Sequence, residues 1–252
     1  MENQQINAVE APKVSSFFER MTDIFSAPGK LFSEVATAPV QSSSWVVPYI
    51  LAMLIGLVST YAILSNQTLR EQALEPQRKA MQESVDKGEM TQDQMDRATE
   101  MTESSSMVVI FGSVFALVMV TVTLFGVPLI LWIIVKLILK SSANYKKLLE
   151  LYGLASLIGI LNAIITLSMI YLFDSLRATP GGSLLLLGNF DYRNFLHMFI
   201  ASLNIFTLWQ TAVVGIGISK VSNKSTGTGM IVSFGLWLVY VIIASLAGWG
   251  AR

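Results

Sequence analysis

The chain contains no cysteine and a single histidine, His197. Disulfides, thiolate nucleophiles and Cys-ligated zinc or iron–sulfur clusters are therefore excluded, and one imidazole per chain rules out a multi-histidine metal site. Charge is scarce as well. Asp, Glu, Lys and Arg make up 13% of the 252 residues, about half of the roughly 25% of a soluble domain. The 17 basic and 17 acidic residues cancel. Such a balance excludes a strongly basic nucleic-acid binder and a chain dominated by an acidic solvating tail. No G-x-S-x-G, H-E-x-x-H, P-loop or dinucleotide fingerprint occurs. The residues thus predict a chain that is not an enzyme and carries no cofactor or metal.

What the chain has in excess is apolar surface, 53% of its residues. Five runs reach the roughly 20 residues needed to cross a hydrocarbon core. They are 45–64, 107–139, 148–173, 195–218 and 230–249. Lys136 lies near the end of the second, Glu150 in the first turn of the third and His197 at the start of the fourth. Backbone groups in hydrocarbon must pair within their own segment, so each run is expected to be a transmembrane helix. The expected fold class is an all-α integral membrane protein, with residues 1–44 as a cytosolic segment and 45–252 as a five-span domain. The first run starts only at Trp45, too late for a cleaved signal peptide. Nine basic residues fall on the side of the N-terminus and eight on the other, which hardly discriminates. The compact group Lys136, Lys140, Lys146 and Lys147, and the nine acids against five bases of the 65–106 loop, orient the N-terminus inward and the C-terminus outward.

Residues 1–12 are polar and expected to be disordered. Val14, Phe17, Phe18, Met21, Ile24 and Phe25 repeat with helical spacing. Pro28 suits the first turn of a second helix carrying Leu31, Phe32 and Val35. Two such short amphipathic helices read as interfacial, with Phe17, Phe18, Phe25, Leu31 and Phe32 contacting the membrane. The alternative is that they pack on the protein's own cytosolic loops.

The 65–106 loop reads as an extracytoplasmic helical hairpin, with Gly88 ending one helix and Thr91 capping the next. Its acids Asp86, Glu89, Asp93 and Asp96 lack the EF-hand pattern and read as a solvated face. The second span is about 50 Å long as a helix, with Pro128 as the natural kink. Pro180-Gly181-Gly182 is a turn, and Leu184–Leu187 is too short to span. Small residues recur at four-residue spacing: Ala52 with Gly56, Gly112 with Ala116, Ala155 with Gly159, Thr211 with Gly215, Ala244 with Gly248. They suit close helix packing and leave a homo-oligomer, or contact with other membrane proteins, open.

No ionisable residue is expected at mid-membrane, which weighs against a proton-coupled carrier. Neutral polar and aromatic groups are expected there: Asn162, Asn204, Trp209, Gln210, Trp237 and Tyr240. They compose a candidate polar intramembrane pocket for a lipid head or small solute. The competing interpretation is ordinary interhelical hydrogen bonding, at about 0.6 kcal/mol each.

Three passages carry a resemblance. They are FFERMTDIFSAPGKLFSEV followed by Pro39 and SSSWVVPYIL; LWIIVKLILKSSANYKKLLELYGLASLIGIL, with Tyr152-Gly153; and NIFTLWQTAVVGIGISKVSNKSTGTGMIVSFGLWLV. Together, over roughly 15–64 and 107–249, the chain resembles the Yip family of Ypt/Rab-interacting membrane proteins and looks like its bacterial branch. The resemblance implies five spans in an inner membrane, with a cytosolic N-terminus and the last residue outside. Eukaryotic members bind prenylated Rab-type GTPases. Their acidic D-L-Y-G-P segment is absent here, so small-GTPase binding does not transfer. The expected role is a membrane-organising scaffold whose partners are lipid and neighbouring membrane proteins, not nucleic acid. The alternative is a transporter or channel for a small solute or lipid.

Overall fold

The computed structural model describes residues 15–103, 105–191 and 194–246. The expectations for residues 1–12, Val14, Arg193, Gly248, Trp249 and Arg252 lie outside the described residues.

Local sequence explains how the helices begin and end. Ser16 opens helix α1 (Phe17–Ser26) through a capping box: its hydroxyl accepts from Glu19 N–H, and Glu19 accepts from Ser16 N–H. Pro28 stands at the start of α2 (Pro28–Thr37), where a missing N–H costs nothing. Helix α3 (Ser43–Ser65) follows. Next come α4 (Gln67–Asp86), which runs through Pro76, and α5 (Gln92–Glu103). These two pack on each other across a turn in which Gly88 has φ +74°. Gln72 ties α4 to the chain after the seventh helix, donating to Asp174 O (2.9 Å) and accepting from Leu176 N–H (3.0 Å).

Helix α6 (Ser105–Leu137) stays helical through Pro128, and α7 (Tyr145–Phe173) begins three residues earlier than the apolar run. Asn144 sets that start, its side chain accepting from Lys147 N–H at 3.0 Å. Four helices, α3, α6, α7 and α10 (Thr226–Leu246), are long and apolar enough to cross a membrane.

The fourth apolar run is not one helix. It divides into α8 (Phe195–Ser202) and α9 (Ile205–Val221), with Leu203 and Asn204 between them. This corrects the continuous 195–218 span. At 17 residues α9 is about 25 Å long, just short of a hydrocarbon core of roughly 30 Å. Leu184–Leu187 belongs mostly to a short 3-10 helix, Gly182–Leu186, packed on α8.

The end bearing the α6–α7 and α9–α10 turns is the base of the bundle. Helix α3 packs on α6 and α7, α7 on α9, and α9 on α10. The contact between α9 and α10 is backbone to backbone. A Cβ on Gly229 would lie 2.1 Å from the Gly215 carbonyl oxygen, so only glycine fits there. Burial is uneven along the helices. Leu31, Phe32, Val35, Leu131, Val135, Leu148, Leu151, Leu154, Ile158, Val213 and Ile218 form one buried cluster at the base. Away from the base the spanning helices expose much of their apolar surface, as helices solvated by lipid do. The base is thus packed like a soluble protein, and α1 and α2 form one of its walls.

Candidate functional site

Two polar constellations stand out, one in the base and one at the break between α8 and α9.

In the base, Arg20 sits on the face of α1 that also carries Ile24, and both are buried. Its Nη1 donates to Glu150 Oε1 (2.8 Å) and Ser44 Oγ (3.0 Å), and its Nη2 donates to Glu34 Oε1 (2.8 Å). Glu150 is fully buried. Its Oε1 also accepts from Gln41 N–H (3.1 Å), and Oε2 accepts from Lys147 Nζ (3.2 Å). Lys147 Nζ further donates to the carbonyls of Val35 (2.5 Å) and Ala38 (2.6 Å). It thereby caps the C-terminal end of α2, where helix carbonyls are unpaired and a cation is favoured. Two cations and two carboxylates join α1, α2, α3 and α7 in one neutral cluster. Sequence reasoning noted Glu150 but missed its partners. The usable signal was an arginine within the Phe17–Ile24 apolar stripe.

Glu34 lies at the rim of this cluster. Burial pushes its carboxyl up. The Ser15 hydroxyl, the Ser15 N–H and the Arg20 guanidinium outweigh that, and the net shift is below the usual 4.5. A carboxyl depressed in the folded state adds stability above its unfolded pKa and loses it as pH falls through the folded value. Acidification below about 4.5 should therefore loosen α1 and α2 from the bundle. Protease cleavage within residues 17–37 is expected to speed up across that window in the native chain. In Glu34→Gln it should be faster at neutral pH and less sensitive to pH.

The five residues expected at the membrane interface differ in burial. Phe18 is 73% exposed, Phe25 is exposed at its edge, and Phe17 is half-buried against the basal cluster. Leu31 and Phe32 are buried within protein, which removes them as membrane contacts. The apolar stripe of α2 faces α9 and α7 rather than lipid.

At the break, Asn204 caps α9. Its Oδ1 accepts from Phe206 N–H (2.9 Å) and Thr207 N–H (3.2 Å), and its Nδ2 donates to Asn162 Oδ1 (3.1 Å). Thr166 also donates to Asn162 Oδ1. The extended turn at Pro180–Gly182 lies alongside as a two-residue ladder. Gly182 N–H donates to Leu203 O (3.0 Å), and Ile205 N–H donates to Pro180 O (3.0 Å). The Gly pair permits this approach: a Cβ would stand 2.2 Å from Leu203 O at Gly181, and 2.2 Å from Ile200 O at Gly182. Ser202 Oγ donates to Phe199 O, and Leu203 N–H donates to Ile200 O. The first donors of α9 and the last acceptors of α8 named here all have protein partners.

The remaining predicted pocket residues disperse. Gln210 lies over Gly159, its Oε1 3.0 Å from where a Cβ would be. Trp209 turns to Phe206 and, edge-on at 5.8 Å, to Phe25 of α1. Trp237 is half-buried against Phe234. Tyr240 is 64% exposed on the outer face of α10. The structure brings Asn162 and Asn204 together, with Gln210 farther along the α7–α9 seam. It does not assemble the six residues into one pocket.

No curated protein and no solved structure matches the chain. The family profile of the Yip1 domain matches residues 22–247, covering α1 from Thr22 onward and every spanning helix. This polytopic helical membrane protein belongs to the Yip1-domain family.

Proposed function

We propose that the chain is a non-enzymatic membrane-organising scaffold. It has five spans, α8 and α9 together serving as the fourth. It belongs to the bacterial branch of its family and resides in the inner membrane. The N-terminus and the lysine-rich base are cytoplasmic, and α4 and α5 lie outside. Its partners are lipid and neighbouring membrane proteins. The family's GTPase partners are not transferred to it, because the acidic segment associated with them is absent from the sequence.

The supporting observation is the closed break. Irregular backbone at membrane depth is tolerated where protein covers it or where it lines a water-filled cavity. Carriers with discontinuous helices aim the open half-helix ends at their cargo. Here those ends are occupied by Asn204, the Pro180–Gly182 turn and the chain's own carbonyls. Asn162 is occupied in the same way. A scaffold uses polar groups in this manner, whereas a conduit leaves some free for its solute.

The absence of native cysteine makes the test simple. Single cysteines at Asn162, Gln210 and Lys224 are reacted with a charged, membrane-impermeant methanethiosulfonate in vesicles. Lys224→Cys, in the basal turn, should label. Asn162→Cys and Gln210→Cys should not, even after long exposure on both sides. Rapid labelling at either seam position would reveal a water path and favour the transporter reading.

A further inference from the structure

The base carries cations that no carboxylate pairs among the described residues. Of its acids, Glu34 and Glu150 pair with Arg20 and Lys147, Asp23 pairs with Lys30, and Glu19 accepts from Ser16 N–H. Lys136 and Lys140, at the basal end of α6, form no ion pair among the described residues. Both are exposed.

Their surroundings are two-sided. Leu131, Val135 and Leu139 point into the basal cluster. Ile130, Ile133, Leu137 and Ile138 point away, and the last two are 69% and 68% exposed. This outward strip continues the exposed apolar face of α6 to the helix end. Hydrocarbon contact therefore reaches the level of the two lysines. Lys136 Nζ is held 4.8 Å above the ring centre of Trp132, a residue type favoured at headgroup depth.

Lys140 adds a second observation. It sits just beyond α6 with φ +52°, and Ser141 N–H donates to Val135 O at 3.1 Å, closing the helix end. Glycine is the default residue in that left-handed position, because a side chain is strained there. The chain keeps a lysine instead.

We propose that Trp132, Lys136 and Lys140, with the alkyl strip Ile133–Leu137–Ile138, form a site for an anionic glycerophospholipid of the leaflet at the base. The acyl chains lie along the strip, and the phosphate meets the two ammonium groups. The proposal does not depend on the scaffold reading, since a conduit could carry the same site.

The test uses tryptophan quenching in the full-length chain. The protein is reconstituted in phosphatidylcholine vesicles containing equal mole fractions of brominated phosphatidylglycerol or brominated phosphatidylcholine. Subtracting the quenching of Trp132→Phe isolates the Trp132 contribution. Brominated phosphatidylglycerol should be preferred by roughly five-fold per lysine at low salt, less at high salt. Lys136→Gln with Lys140→Gln should abolish the preference. Lys220→Gln with Lys224→Gln, in the other basal turn, should retain it. If the double variant does not reconstitute, Lys136→Gln alone should lose about half of the preference on a logarithmic scale. Equal quenching by both lipids would overturn the proposal. So would an equal loss from both double variants, which would indicate diffuse attraction rather than a site.

Discussion

Gly181→Val is expected to yield almost no monodisperse protein, and Gly181→Ala a strongly destabilised one. A Cβ at this position would lie 2.2 Å from the Leu203 carbonyl oxygen and 2.8 Å from the Asn204 Cα. Both are backbone atoms, so no flexible side chain can move aside. Relief requires the turn to withdraw, which breaks the bonds from Gly182 N–H to Leu203 O and from Ile205 N–H to Pro180 O. With α8 and α9 forming the proposed fourth span, those groups would then face an environment with little water, at several kcal/mol each. A loss on the order of 5 kcal/mol follows, once the overpacking strain is included. The control is Gly29→Ala, where a Cβ would meet nothing within 4 Å. Detergent melting curves followed by size-exclusion fluorescence give the comparison. A Gly181→Ala protein that melts with the native one would mean that the ladder does not hold the break.

Arg20→Met should be the second severe change. It leaves Glu150 fully buried with Lys147 and one backbone N–H as its remaining donors. Removing one partner of a buried ion pair costs about 3–5 kcal/mol, because the other charge stays in a poorly solvated place. The cluster should then open, freeing α1 and α2 for cleavage within residues 17–37. Glu150→Gln alone should also destabilise. The double variant Arg20→Met with Glu150→Gln should recover part of the loss, since neither charge is then stranded. If the effects of the two single changes simply add, the two residues are not coupled as their 2.8 Å contact implies.

Much of this architecture was legible because lipid imposes simple rules. Four apolar runs became helices long enough to cross, with ends moved a few residues by caps such as Asn144. Periodicity located α1 and α2, and Gly88 and Thr91 marked the turn between α4 and α5. The break after Ser202 was not legible, because hydropathy averages over a window and cannot register one asparagine that caps a helix inside an apolar run. Pro180-Gly181-Gly182 is legible as a turn. Its pairing with residues 203–205, more than twenty positions away, depends on tertiary approach. The basal cluster failed for a related reason. Arg20 and Glu150 are each a charge within an apolar stripe, and they answer one another across 130 positions, a separation that local periodicity does not register. Leu31 and Phe32 show the limit of amphipathicity: an apolar stripe does not say whether lipid or protein will cover it.

Hydrogen–deuterium exchange in lipid nanodiscs examines the closed break without any substitution. Amides of residues 203–208 and of Gly181 and Gly182 should exchange as slowly as those of mid-α7, around Leu157–Leu161, because protein acceptors hold them. Exchange of the 203–208 amides within seconds, with mid-α7 still protected, would place water at the start of α9 and contradict a scaffold closed against solute.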